Sequence, residues 1–308
     1  MDNRRDRLDT LAIALMVLLC ALWGTQQIVI KATDATIPPT LQAGLRSAGA
    51  AVLVWGWAAA RHVPLFRRDG TLVQGVAAGL LFGIEFAILY WALDFASASH
   101  TVLFLYASPF VVAVGTHFLV PGERLRRIQV LGLCCAFFGL ALGMADAMTI
   151  PSARETIGDL LALLAALLWG ATTVLIKAGK LARAAPAKTL FYQLAVSAVI
   201  LPFISKLQGE VWPTSLDAMV LLSLGYQIVV IAFLSYLAWF WLLRHYPAGR
   251  IAAFSFLSPL FGMLGGGVIL NETLSALLGL SLLLVAGGIY LVNRPPPVPV
   301  LVPEPAGD

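Results

Sequence analysis

The stretch Phe254-Ser255-Phe256-Leu257-Ser258-Pro259 lies in the middle of an apolar run from Ala248 to Leu270. A run of that length crosses a bilayer as a helix. It nevertheless contains a proline, whose ring removes a backbone donor and clashes with the preceding turn. The same pattern stands earlier as Phe104-Leu105-Tyr106-Ala107-Ser108-Pro109, again inside a long apolar run. Both read F-x-x-x-S-P, 150 residues apart. Two breakers in one pattern point to a duplicated membrane protein whose interrupted backbone has a purpose.

The rest of the chain fits that reading. Of 308 residues, 60% are hydrophobic and 12% charged, about half the charge of a soluble chain. Apolar runs of membrane-spanning length recur at about 11–30, 39–60, 72–93, 99–120, 127–146, 158–177, 187–205, 217–243, 248–270 and 274–292. The expected fold class is therefore an all-α membrane protein with ten transmembrane helices. Connections are short, leaving no room for a soluble domain. The basic start (Arg4, Arg5, Arg7) precedes an apolar run without a small-residue cleavage site, so it reads as a retained first span. Residues 295–308 form a proline-rich tail, expected to be extended, mobile and cytoplasmic. Cys20, Cys134 and Cys135 fall inside spans and read as small apolar fillers. No metal-ligand spacing joins them to the histidines, and no nucleotide-binding loop is present, so neither metal nor cofactor is expected.

Charge orients the spans. Ten spans alternate sides, and one side holds Arg4, Arg5, Arg7, Arg61, Arg67, Arg68, Arg124, Arg126, Arg127, Lys177, Lys180, Arg183, Lys188, Arg244, Arg250 and Arg294. The other holds only Lys31, Arg154 and Lys206. Basic residues stay cytoplasmic, so both termini are placed there. This asymmetry accounts for the net charge of +4 without invoking nucleic acid.

The duplication has further landmarks. Trp23-Gly24 with Ile30-Lys31 recurs as Trp169-Gly170 with Ile176-Lys177. Glu123-Arg124-Leu125 with Gly139 recurs as Glu272-Thr273-Leu274 with Gly288. Five spans per copy, an odd number, make the second copy enter from the opposite face. The expected organisation is two inverted five-helix repeats, 1–150 and 151–294. Inverted repeats are a transporter architecture, with the substrate held between the repeats beside interrupted helices.

These motifs (Trp-Gly in the first span of each copy, Ser-Pro in spans four and nine, Gly122-Glu123-Arg124-Leu125) resemble the EamA type of the drug/metabolite transporter superfamily. The resemblance covers roughly residues 10–292, with Asn271-Glu272 departing from the usual Gly-Glu. Phe82-Gly83-Ile84-Glu85 looks like the YddG-type amino-acid exporters of bacteria. The resemblance implies a multi-pass protein of the bacterial inner membrane. It implies peripheral spans five and ten, and a central cavity that exports amino acids, aromatic or apolar ones.

Candidate site residues follow from side-chain chemistry. Glu85 is the one acid well inside a span, where ionisable groups mark function. Gly75, Gly79 and Gly83 form a smooth stripe for a packed neighbour. Glu85, two residues beyond Gly83, points away from it alongside Phe82. It suits a substrate ammonium group or a proton, or else bonds a neighbouring helix. Trp23, Gln26 and Gln27, with their mates Trp169, Thr172 and Thr173, offer polar groups beside an aromatic on one helix face. Interhelical hydrogen bonding is the equal alternative. Tyr106 and Phe256, beside the prolines, and Tyr236 are aromatic lining candidates; Trp239, Tyr90 and Tyr226 add aromatic surface on spans three and eight, and Trp55, Trp57, Trp91 and Trp241 suit interfacial anchoring. Ser108, Pro109, Ser258 and Pro259 would form hinges, or static kinks, with Ser108 and Ser258 bonding locally to backbone. Lys31 with Glu272, and Glu123 with Lys177, would be symmetric gate latches. Arg46, just inside span two, is expected to snorkel outward or pair with a nearby acid. The stretch Ser97 to His100 lacks the partners of a hydrolase, so an enzyme is not expected.

The sequence thus describes a secondary-type transporter of small metabolites working by alternating access, and the resemblance implies export. The rivals are an exporter of drugs or other metabolites, a membrane enzyme, or a structural subunit. Expected partners are the bilayer, a small-molecule substrate and protons, with the chain a monomer or homodimer.

Overall fold

The computed structural model describes residues 5, 7–31, 33, 36–148, 150–215, 217–269 and 276–295, without the side chains of Lys31 and Ile269. Every regular element among them is helical. The helices are α1 (Thr10–Lys31), α2 (Pro39–Ala60), α3 (Leu72–Leu93), α4 (Ala98–Leu105), α5 (Ser108–Leu119), α6 (Arg127–Gly143) and α7 (Ala153–Ala178). Then follow α8 (Pro186–Leu207), α9 (Ala218–Tyr226), α10 (Tyr236–His245), α11 (Ala248–Ala252), α12 (Leu257–Ile269) and α13 (Leu278–Asn293). Among the described residues seven helical segments are long and apolar enough to cross a membrane: Thr10–Ile30, Leu72–Leu93, Ala98–Leu119, Ala153–Ala178, Pro186–Leu207, Ala218–His245 and Ala248–Val268. α6 and α13 are apolar but shorter. α2 has the length, but Gln42, Arg46 and Ser47, all buried, lower its apolarity. Large apolar side chains such as Val52, Val73, Phe118, Val199, Leu222 and Leu283 face outward, as a lipid-facing surface requires.

Local chemistry sets the helix ends. α2 starts on Pro39, where a missing N–H costs nothing. Ser152 and Glu155 close a reciprocal capping box on α7, with bonds of 3.2 and 2.8 Å. Asp217 accepts the Val220 N–H at 2.8 Å to open α9.

Both Ser-Pro elements do interrupt their helices. α4 ends at Leu105 and α5 restarts at Ser108 across a two-residue turn. In the second copy a 3₁₀ segment, Ala253–Phe256, separates α11 from α12. Local bonding differs from expectation: among the described residues Ser258 Oγ makes no hydrogen bond to backbone and faces Cys20 and Tyr106, while Ser255 Oγ donates to Ala252 O at 2.7 Å. Cys20, read as a filler, donates its thiol from α1 to Phe254 O of the 3₁₀ segment at 3.1 Å.

A further irregularity, unannounced by any proline, lies between α9 and α10: Gln227–Ser235 is π-helical. Such wide turns leave carbonyls for side chains to use, and Ser235 Oγ donates to Ile231 O at 2.6 Å. Pro202, conversely, sits inside α8 without ending it, its ring filling the notch left by Gly44 of α2.

Packing relates the two halves. A Cβ on Gly24 would stand 2.6 Å from Ser258 O, so α1 lies directly on the break that opens α12. A Cβ on Gly170 would stand 2.5 Å from Val111 Cβ and 3.3 Å from Ser108 O, so α7 lies on the break that opens α5. Each first helix thus clasps the broken helix of the other half. The α3 glycine stripe works as expected: Gly75, Gly79 and Gly83 receive Tyr192, Val196 and Ile200 of α8. α6 and α13 pack mainly on each other, with Gly132 and Gly288 in mutual backbone contact.

Candidate functional site

The crossed clasp brings two aromatic clusters to the junction of the halves. In one, Tyr106 stands 6.0 Å from Trp169 and 6.4 Å from Phe256, ring centre to ring centre, so the two breaks touch through these rings. In the other, Trp23 stands 6.5 Å from Tyr236 and 5.7 Å from Trp239. Tyr236 reaches Phe82 at 6.1 Å, and Phe82 reaches Phe86 at 5.0 Å. Trp23 Nε1 donates to Ser235 Oγ at 3.0 Å, so the π-segment positions the indole. Trp239 is 8% exposed and part of this core.

Glu85 is buried beside the second cluster, two turns from the end of α3. Its charged neighbour is Arg46 of α2, which also acts on Tyr90 and Tyr236. No direct ion pair joins the two, and the Arg46 guanidinium lies over the Phe86 ring at 4.6 Å. Arg46 is 1% exposed. It therefore does not snorkel, because the surrounding helices enclose its whole side chain, and it makes no direct salt bridge among the described residues.

The other candidates divide. Thr172 and Thr173 are buried, and both hydroxyls donate one turn back, to Leu168 O at 2.8 Å and Trp169 O at 3.3 Å. Gln26 is buried but Gln27 is exposed, so these neighbours do not share one environment. Ser108 is buried at the first break. Pro109, also buried, sits in the first turn of α5. Pro259 sits in the first turn of α12.

At one end of the bundle, Lys177 Nζ lies 3.6 Å from Glu123 Oε1, both side chains 4% exposed. Lys177 also donates to Leu243 O and, at 2.6 Å, to Tyr246 O. Glu123 Oε2 accepts the Ala248 N–H at 2.8 Å. One buried pair therefore ties α7, the α5–α6 connection and the corner before α11. The matching pair cannot be described: Glu272 lies outside the described residues, as does the Lys31 side chain. His100, on α4, pairs with Asp159 of α7 at 3.2 Å, while Ser97 Oγ caps α4 by accepting the His100 N–H at 3.3 Å. A cleft of about 570 Å³ lined by Asp69, Thr71, Gly179, Lys180 and Arg183 lies past the end of α7. It shares no residue with the aromatic clusters or Glu85. Among the described residues no group of three or more His, Cys, Asp or Glu side chains could hold a metal ion.

Apolar outer faces, crossed halves and a buried junction carrying charge and aromatic rings together define a multi-pass membrane transporter. The EamA-like transporter family model matches twice, over residues 10–144 and 156–294. The chain belongs to that family. It is 32% identical over 288 residues to a Salmonella typhimurium protein named "Probable amino-acid metabolite efflux pump", covering 90% of this chain and 93% of the relative. The Escherichia coli protein of the same name is 29% identical, with the same coverage. The "Uncharacterized transporter YoaV" of Bacillus subtilis is 25% identical, covering 88% and 92%. A crystal structure superposes with a TM-score of 0.77 at 19% identity, covering 92% of this chain and 96% of the other, a likeness of fold.

Proposed function

We propose that the protein exports amino acids or closely related metabolites from the bacterial cytoplasm across the inner membrane, by alternating access at the junction of two inverted five-helix repeats. On this reading ten helices cross the membrane, α4–α5, α9–α10 and α11–α12 each counting as one, with both termini cytoplasmic.

The observation that carries the reading is Glu85. Its carboxylate is buried in a membrane helix without a direct ion pair, beside Phe82 and Tyr236. An acid is costly at that depth and marks a substrate or ion path. A carboxylate among aromatic rings suits an ammonium group carrying an apolar side chain. The names of the Salmonella and Escherichia coli relatives support the same solute class. The breaks at Ser108-Pro109 and Ser258-Pro259 serve as hinges, because each lies under the first helix of the opposite repeat. Glu123 and Lys177 then latch the cytoplasmic side shut, and Lys31 with Glu272 would do so outside.

The test is a proteoliposome assay with labelled amino acids, competed by the 20 standard amino acids, with and without a pH gradient. Saturable flux without chemical change is expected, and Glu85→Gln should lower it at least tenfold. Absence of flux across the panel would refute the reading in favour of an enzyme or structural subunit. Unchanged flux and pH dependence in Glu85→Gln would remove Glu85 from the site.

A further inference from the structure

Among the described residues, the buried lysines bond protein oxygens. Lys177 bonds two carbonyls and faces Glu123. Lys188 donates to Arg67 O and Asp69 Oδ2, each at 2.8 Å. Arg46 is different. It is among the largest fully buried side chains, yet among the described residues Nε, Nη1 and Nη2 all lack a hydrogen-bond partner. A guanidinium carries five N–H donors in a planar fork, and burying them unmet is costly. The contact with Phe86 covers a face of the fork and leaves its edge donors unused. A purely structural cation would be expected to look like Lys177 or Lys188.

Arg46 also stands at the depth of Glu85. It is seven residues into α2 from Pro39, and Glu85 is eight residues short of Leu93 at the end of α3. With the outer ends of both helices on one side, each group lies about 10–12 Å deep. Glu85 and Arg46, through-space neighbours without a direct bond, flank one aromatic wall formed by Phe82, Phe86 and Tyr236.

We propose that Arg46 is the carboxylate-binding residue of the transport site, so that a zwitterionic solute is held at both ends, its carboxylate forked by Arg46 and its ammonium group on Glu85. This deepens the transport reading and rests on it. The guanidinium fork matches a carboxylate with two parallel N–H···O bonds, a geometry lysine cannot supply. Arg46 thereby sets specificity: an amine without a carboxylate loses the fork, and an acid without an amine loses Glu85.

Three probes sharing one side chain test this: L-phenylalanine, phenethylamine and 3-phenylpropanoate. Binding to purified protein and flux in proteoliposomes are measured for wild type, Arg46→Gln, Arg46→Lys and Glu85→Gln. Wild type should favour L-phenylalanine over phenethylamine at least tenfold. Arg46→Gln should erase that preference, weakening L-phenylalanine tenfold or more and phenethylamine by less than twofold. Arg46→Lys should keep only part of the preference, and it carries the test if Arg46→Gln does not fold. Glu85→Gln should spare 3-phenylpropanoate. Equal weakening of all three probes by Arg46→Gln and Arg46→Lys would make Arg46 structural and overturn the proposal. Equal handling of L-phenylalanine and phenethylamine by wild type and both Arg46 variants would overturn it while transport stands. No flux of any solute in any arm would refute the transport reading and this proposal with it.

Discussion

Replacing Gly24 by alanine adds one methyl group where α1 lies on α12. That Cβ would stand 2.6 Å from Ser258 O, 2.7 Å from Gly262 N and 2.9 Å from Phe261 Cβ. Carbon contacts are comfortable near about 3.5–4.0 Å, so the helices must part by roughly 1 Å. Two of the three atoms are backbone, and no rotamer change relieves them. Overpacking of this kind costs about 1–3 kcal/mol. Against a rigid backbone the upper part of that range applies. Alanine returns about 1 kcal/mol of helix propensity, leaving a net loss of about 2 kcal/mol. The same exchange has controls in the same molecule. A Cβ on Gly262 meets nothing nearer than Gly24 O at 3.4 Å, and one on Gly56 meets nothing within 4 Å. Gly262→Ala and Gly56→Ala should therefore be neutral or slightly stabilising. Denaturant unfolding of the purified variants in detergent should rank Gly24→Ala well below both. Gly24→Ala and Gly56→Ala of equal stability would refute the close approach of α1 to the second break, and with it the crossed clasp.

Lys177→Met leaves Glu123 a buried, uncompensated charge, so thermal unfolding should show a loss of about 3–5 kcal/mol. Adding Glu123→Gln should recover part of it, and a double variant no better than the single would show that the pair is not coupled. Asp69, in the loop before α3, is held well below the usual carboxylate range by its hydrogen bond to Lys188, then by Thr71. A depressed carboxyl stabilises the fold above its unfolded value, about 3.9, and that contribution is lost as pH falls through the lower folded value. Asp69→Asn should therefore be less stable than wild type at neutral pH. The gap should close below about pH 4 in unfolding measured across pH; a constant gap would contradict the assignment.

Much of this architecture was readable along the chain, because the features involved are local. A proline lacks its donor wherever it stands, so both helix breaks were evident from Ser108-Pro109 and Ser258-Pro259. Glycine spaced by four leaves a groove in any helix, so the α3 stripe announced its neighbour. The recurrence of Trp-Gly, Ser-Pro and Glu-x-Leu announced two related halves. Glu85 stood out because an acid in an apolar run needs a reason. The site was less legible. Arg46 read as a residue reaching for the interface or pairing with a nearby acid, because a charge near a span end usually does one or the other. Gln26 and Gln27 read as one pair, though only the first is buried. The π-helical stretch had no sequence signal at all.

The division has one physical cause. Membrane residence, the helix breaks and the duplication depend on backbone chemistry and on the length of apolar runs, which neighbouring residues decide among themselves. Which face of an apolar helix turns inward is decided by its rotation and depth against helices more than 100 residues away. The Phe254–Pro259 stretch could be known as a break from its own residues. That Gly24 and Cys20 of the first helix close over it, and that Arg46 lies sealed beside Glu85 with its donors unmet, follows only from how the two halves pack.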